Sequence, residues 1–433
     1  MKRNLIYPIC LVGWLPAATL ALDLTANIDV ESDYSTNSKQ TPTNEVEEWI
    51  HRPGFNVGAT HSTPSLTLDA NYEFERRFYQ EDSFEDENAT TGRATLLWNA
   101  LPHRLDFTVS NSRTETPIES IDPNTPNNRQ VVSNTQAGPI LRFRTPGDDE
   151  LQLQYPYGDR SNEVTGNDST THDLTARYKL VTSTTNELAF EAISRQTEYD
   201  DPLTPELEAT VGQVIWTRSA NDLELSVMGG YNQSERDLGR EDVDGSICDL
   251  SLDWQARPNT AISIAAVRAI GDQTSALSSG TPEFSENFNN LLSTTSELST
   301  FSRQEISIAQ IIGPNSLDLM LFNNDEDYED VLRDSENSGI RFTFSRALSP
   351  RMRLAASFGS RTQDYTDQNE EVEETRGRIR LTRDVGRRLE IALGISYIER
   401  ESDNPDPVGS PRRNYEELLG TFSLTYSLME PSD

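Results

Sequence analysis

Any nucleophilic or metal centre in this chain would have to draw on four histidines, His51, His61, His103 and His172, and two cysteines, Cys10 and Cys248. His172 stands beside Asp173 in STTHDLTARY, and His61 beside Ser62. A dyad needs both side chains on one face, whereas neighbours on a strand point to opposite faces, so neither pair makes one there. G-x-S-x-G, H-E-x-x-H and P-loop patterns are absent, and no histidine stands at metal-ligand spacing from Cys248. The acidic run NNDEDYED, residues 323–330, lacks the glycine and terminal glutamate of an EF-hand. It reads as a solvated loop that would hold calcium only loosely. The expectation is a protein that is not an enzyme, with no cofactor and no metal. Arginine is the more informative residue, because lysine occurs only at Lys2, Lys39 and Lys179. Guanidinium makes planar, bidentate contacts with carboxylate, phosphate and sugar oxygens. A compositional bias of the source would account for the same preference.

What could position those arginines begins with an export signal. MKRNLIYPICLVGWLPAATLA places Lys2 and Arg3 before an apolar run and ends on small residues, which reads as a signal peptide over residues 1–21. A membrane anchor helix is disfavoured by the short run and by Pro8 and Pro16. Cys248 is then the only cysteine left, so no disulfide can brace the chain. The formal net charge is −34, and losing Lys2 and Arg3 makes it −36, which excludes nucleic-acid binding through a basic face. A mean hydropathy of −0.63 raises intrinsic disorder as a rival.

The pattern argues against disorder. Leu66, Leu68, Ala70, Tyr72 and Phe74 alternate with polar residues, as do Leu223, Leu225, Val227 and Tyr231, and Leu389, Ile391, Leu393, Ile395 and Tyr397. Short turns such as STPS (62–65), TPGDDE (145–150), SAND (219–222) and VGRR (385–388) take turns with longer polar connections. Among the latter are 38–48, 80–88, 116–130, 273–298, 327–337 and 401–413. Ten long connections and nine turns predict an all-β fold. It is a single transmembrane antiparallel β-barrel of about 20 strands (18–22), with short periplasmic turns and long extracellular loops. The barrel spans 22–428 and leaves a short tail, 429–433. No segment approaches the roughly 18 apolar residues of a membrane helix. A β-solenoid or a sandwich fits less well, for want of a fixed repeat and because the long loops fall on one side only.

If the apolar faces meet lipid, the intervening residues line the lumen. Arg341 then points inward from GIRFTFS, Arg353 and Arg361 from the next strand, and Arg376, Arg378 and Arg380 from TRGRIRLTR. Asp69, Glu73 and Glu75 face inward on an earlier strand, and Asp106 on a later one. Two readings stand: separated charged walls that select polar or charged solutes, or mutual pairing across a narrow lumen. Residues 273–298 could fold inward and constrict the pore, or cover the outer mouth.

The opening LDLTANIDVESDYSTN, the closing NYEELLGTFSLTYSL and strands such as RLAASFGSRTQDY resemble the outer-membrane β-barrel porins found beside exopolysaccharide and PEP-CTERM exosortase gene clusters. The resemblance spans most of the chain and rests on rhythm and strand ends. It implies a Gram-negative cell outer membrane and a porin-like channel for exopolysaccharide export or passive passage of polar solutes. It also implies partners: outer-membrane lipid and lipopolysaccharide, the barrel-assembly machinery, and a secreted polysaccharide or its export apparatus. No catalytic residues come with it. The alternative is a non-conducting surface scaffold or adhesion barrel that binds partners through its loops. One departure is that the last strand, with Phe422, Leu424, Tyr426 and Leu428, is followed by MEPSD rather than ending on an aromatic residue.

Overall fold

The computed structural model describes residues 22–119, 121–145, 147–238, 240–272, 297–329, 334–368, 370–403 and 414–429. The first half of the chain forms β1 (Asp23–Ser35), β2 (Glu48–Ser62), β3 (Leu66–Tyr79), β4 (Glu87–Leu101), β5 (Leu105–Pro117), β6 (Arg129–Arg144), β7 (Glu150–Gln154), β8 (Tyr157–Asn162), β9 (Ser169–Ser183), β10 (Asn186–Tyr199) and β11 (Leu207–Ser219). The second half adds β12 (Leu223–Arg236), β13 (Val243–Arg257), β14 (Thr260–Asp272), β15 (Leu298–Ile312), β16 (Asn315–Tyr328), β17 (Ser335–Ser349), β18 (Met352–Tyr365), β19 (Glu370–Val385), β20 (Leu389–Ser402) and β21 (Tyr415–Met429). Apart from β7 and β8, every strand pairs antiparallel with its sequence neighbour, and β1 pairs with β21 from Ala26↔Met429 to Ser35↔Leu419. The sheet therefore closes on itself and leaves no edge, the condition for crossing hydrocarbon, where unpaired backbone groups find no water.

β7 and β8 are two halves of one spanning strand, since each pairs with β6 on one side and β9 on the other. The barrel thus has 20 spans, the number that alternating turns and loops predict. The break falls at Tyr155–Pro156, because proline has no N–H to give the ladder. Gly138 of β6 faces it, where a Cβ would come within 2.6 Å of Pro156 Cα.

Apolar side chains occupy the outward positions. Leu24, Ile28 and Val30 of β1 are exposed, as are Phe55 and Val57 of β2, Ile379 of β19 and Leu393 and Ile395 of β20. Phe55 stacks on Phe74 with ring centroids 4.6 Å apart, and Trp98 on Phe107 at 5.5 Å. Trp98, Trp216 and Trp254 lie a few residues from the periplasmic turns, while Tyr34 and Trp49 lie near the other rim. Amphipathic rings at both edges of an apolar band match the two water–lipid interfaces. Cys248 is free and shares the outward parity of Leu250.

Gly92 is the one described glycine within a strand that has a positive φ, at +146°. On the outward face Tyr72 lies over it and donates its hydroxyl to Asn111 Oδ1 at 2.5 Å. A Cβ at Gly92 would sit 2.7 Å from Tyr72 Cα and 2.8 Å from its ring. Gly92→Ala is expected to cost about 1–3 kcal/mol, read as a lower urea midpoint for the heat-modifiable band on a gel.

Two sequence expectations change. Residues 323–328 of the acidic run lie on β16 and not in a loop, and β17 already starts at Ser335, so the connection expected over 327–337 is shorter. The strands run past the apolar band into water, where carboxylates on both faces cost little and alternation disappears as a signal. The leader 1–21, the tail past Met429 and the segment 273–296 lie outside the described residues.

Candidate functional site: the barrel lumen

The inward positions follow from the lipid-facing ones by alternation, and they carry most of the charge. On β17 Arg341 alternates with outward Ile340 and Phe342; on β18 Arg353 and Arg361 share the face opposite Phe358; on β19 Arg376, Arg378 and Arg380 alternate with Gly377, Ile379 and Leu381. Register joins them into one wall: Arg341 pairs with Gly359, which pairs with Arg376, while Ser357 pairs with Arg378 and Ala355 with Arg380. Arg380 lies beside Gly394 of β20, and this gap lets its Nη2 reach β21 and donate to Ser423 Oγ at 3.0 Å. Arg341 Nη2 contacts Met320 Sδ at 2.8 Å.

Asp69, Glu73 and Glu75 share the inward face of β3, opposite outward Phe74. β3 stands six strands from β18 in the ring of 20, so these acids flank the arginine wall and do not face it. β1 brings acidic residues nearer still, with Asp29, Glu31 and Asp33 on its inward side, and Arg52 pairs with the last two. Asp106 is buried and paired with Arg142. His172 and Asp173 do diverge: His172 Nδ1 lies 3.0 Å from the Tyr155 hydroxyl on the outward side, while Asp173 takes a two-pronged contact from Arg195 on the inward side, at 2.7 and 3.1 Å. Among the described residues no cluster of three or more metal-ligating side chains occurs.

Burial separates the two ends of the lumen. Toward the periplasm, inward Asp69, Asn71, Glu73, Arg93 and Arg353 are exposed to water, while Asp106 is buried against Arg142. At the extracellular ends of the strands the inward polar groups are buried: Asp33, Glu48, Thr197, Ser234, Asn337, Glu374, Arg400 and Glu417 are among them. Such groups are tolerable only with partners. Glu48 accepts the Glu81 and Ser83 amides at 2.9 and 3.4 Å, tying the β3–β4 connection inward. Glu417 accepts from Ser35 Oγ at 2.6 Å and Gln40 Nε2 at 3.0 Å. Arg77 grips Glu115 with both terminal nitrogens, at 2.7 and 2.9 Å, and Glu87 at 2.9 Å. Arg361 donates to Glu374 at 2.9 Å, and Arg376 contacts the same carboxylate.

One connection crosses the mouth. Ile118–Asn128 leaves β5 and reaches the wall 14 strands further along the chain, where Arg400 of β20 donates to the Ile121 carbonyl and the Ile121 side chain packs with Tyr365 and Val372. Asn128 stiffens the segment: its amide nitrogen donates to Glu119 O at 2.8 Å and Pro123 O at 3.1 Å, and its oxygen accepts the Glu119 amide at 2.8 Å. The sequence marks 116–130 only as a long Pro- and Asn-rich connection, and 273–298, which it offers as an inward fold or a cover of the outer mouth, lies almost wholly outside the described residues. Arg400 was passed over, although continuing the alternation from Gly394 and Ser396 places it inward.

The outer rim is acidic. In the β16–β17 connection the Asp334 carboxyl accepts the Tyr328 amide at 2.8 Å, and its own amide donates to Asp367 at 3.1 Å. Burial, with help from Asp327, Asp367 and Asp325, pushes that carboxyl above the usual aspartate range, against the Tyr328 hydrogen bond.

No family model and no curated relative matches the chain. Among solved structures it is similar to the siderophore receptor PirA from Acinetobacter baumannii, with a TM-score of 0.51 and 10% identity over 95% of this chain and 81% of that one. It is also similar to a mutant of the ferric enterobactin receptor PfeA from Pseudomonas aeruginosa, at 0.49 and 12% over 94% and 80%. A third is OpdK from the same organism, solved with vanillate, at 0.42 and 10% over 94% and 98%. Identities this low speak to fold alone. The ring closed by β1 and β21, the apolar outward band and this likeness together make the chain a 20-stranded antiparallel β-barrel of the outer membrane.

Proposed function

We propose that the barrel is a porin-like channel for polar solutes, narrowest at its extracellular mouth, with a secreted polysaccharide as its cargo. The observation that carries this reading is the contrast along the lumen. Asp69, Glu73, Arg93 and Arg353 are exposed to water on the periplasmic side, while a ring of polar groups at the far end is buried and bridged by the connection 118–128. A water-exposed charged vestibule leading to a buried polar neck suits a pore that admits solutes from the periplasm and selects at its exit. The polysaccharide rests on the family resemblance alone.

Purified protein in planar bilayers is expected to give stable conductance steps, with an ion selectivity that moves toward cations when Arg376, Arg378 and Arg380 are changed to Gln. A silent bilayer at all voltages would favour the second reading, a closed scaffold sealed by the same buried ring. Deleting 273–298 would then abolish partner binding without any change in current.

A further inference from the structure

We propose that the lumen holds a binding track for an acidic saccharide chain, with arginines on one wall and amides on the facing wall. The proposal rests on the channel reading above and names the class of cargo. The arginine side stands on a lawn of small residues. Thr343 and Ser345 on β17, Ala355, Ser357 and Gly359 on β18, Thr382 on β19, and Ala392, Gly394 and Ser396 on β20 share the inward face with Arg341, Arg353, Arg378 and Arg380. These positions are small, and the one long neighbour reaching a guanidinium from β16 is Met320, at Arg341. Carboxylates stand at the margins: Asp318 on β16, Glu390 on β20 with its partner Asp384 on β19, and Glu374 at the outer end of β19. Arg341 and Arg380 have neutral partners, a thioether and a hydroxyl, and Arg353 is exposed. Arg341, Arg353 and Arg380 therefore keep capacity for an incoming anion.

Ten strands away in a ring of 20 is the facing wall. Opposite β18 and β19 stand β7 and β9, with Gln152 and Gln154 inward on β7 and Thr175 and Arg177 on β9. Gln136 of β6 continues the row. These side chains are only partly buried. Amides and a hydroxyl both donate and accept, which suits sugar hydroxyls. Guanidinium suits the carboxylate or sulfate that an acidic sugar adds. A neutral glycan would use only one wall, and a small inorganic anion only the other.

The probe is a purified oligogalacturonate, with a maltodextrin of equal length as the neutral control. Binding is measured by calorimetry on the detergent-solubilised full chain, so it does not depend on conductance. Oligogalacturonate is expected to bind and maltodextrin not, with affinity falling as salt rises. Each of Arg353→Gln and Arg378→Gln should weaken it by about tenfold, the loss of one charge-assisted hydrogen bond. Gln152→Ala with Gln154→Ala should weaken it by a smaller factor. Heat-modifiable mobility checks that each variant folds, and exposed Arg353 supplies a substitution that the fold does not need. Equal binding of the two oligomers, no binding of either, or unchanged affinity in folded Arg353→Gln and Arg378→Gln overturns the track. A silent bilayer with selective binding retained overturns the channel and leaves the track standing.

Discussion

Replacing Ile118–Asn128 by a short glycine-serine turn raises single-channel conductance several-fold in planar bilayers, because the segment that crosses the mouth is gone. The substitution is compatible with the fold: β5 and β6 pair as far as Pro117↔Arg129, so the strand ends already lie close enough for a tight turn. What holds the segment in place is identifiable. Arg400 donates to the Ile121 carbonyl, a charge-assisted bond of about 1.5–3 kcal/mol. Burying the Ile121 side chain against Tyr365 and Val372 contributes about 1.5–3 kcal/mol more. The ordering entropy of the segment opposes both, and the Asn128 cross-links lower it in advance. Arg400→Ala should consequently give an intermediate result, with larger and noisier current steps as the segment undocks part of the time. Unchanged conductance after complete replacement would place the narrow point elsewhere.

The second large effect concerns stability. Glu374→Ala is expected to lower unfolding stability by about 3–5 kcal/mol, the cost of stranding buried charges without their counter-ion. Glu374 is 1% exposed, bonded to Arg361 and Arg376 and close to Arg400, so its removal leaves three guanidinium groups together at the mouth. Urea titration in lipid vesicles, read by heat-modifiable mobility, checks it. Arg353→Gln serves as the internal comparison. Arg353 is exposed on the same inner wall, and its loss should change stability by no more than about 0.5 kcal/mol. The paired ring is thus expected to carry stability, whereas the arginines on small residues carry selectivity. Equal losses in both variants would contradict that division.

The wall residues were readable because alternation is local: once Ile340, Phe342 and Ile379 are taken as lipid-facing, Arg341, Arg378 and Arg380 have only one side left. The acidic strands at the outer rim were less readable. Outward Glu336 and Asp364 pair directly on β17 and β18 beyond the apolar band, and with both faces wet the hydrophobic rhythm stops while the strand continues. The Tyr155–Pro156 interruption was also invisible as such, since a proline inside a hairpin looks like part of a loop until both neighbouring strands are seen to pair on either side of it.

By itself, then, the order of residues determined the strand rhythm, the alternation of turns with long connections, the count of spans and the face on which each charge sits. All of these depend on neighbours within about one hairpin. Only the tertiary structure decided which charges meet and which connection turns inward. Arg400 and Ile121 are 279 positions apart, and Ser35 and Glu417 are 382 apart. Such partners are set by where a closed ring returns each strand, and no local periodicity carries that information. Closure brings the acids of β1 to within three strands of the arginines of β19 and places β7 and β9 across the lumen from β18 and β19. The physical reason is that hydrocarbon forbids a free sheet edge, so the first and last strands must join.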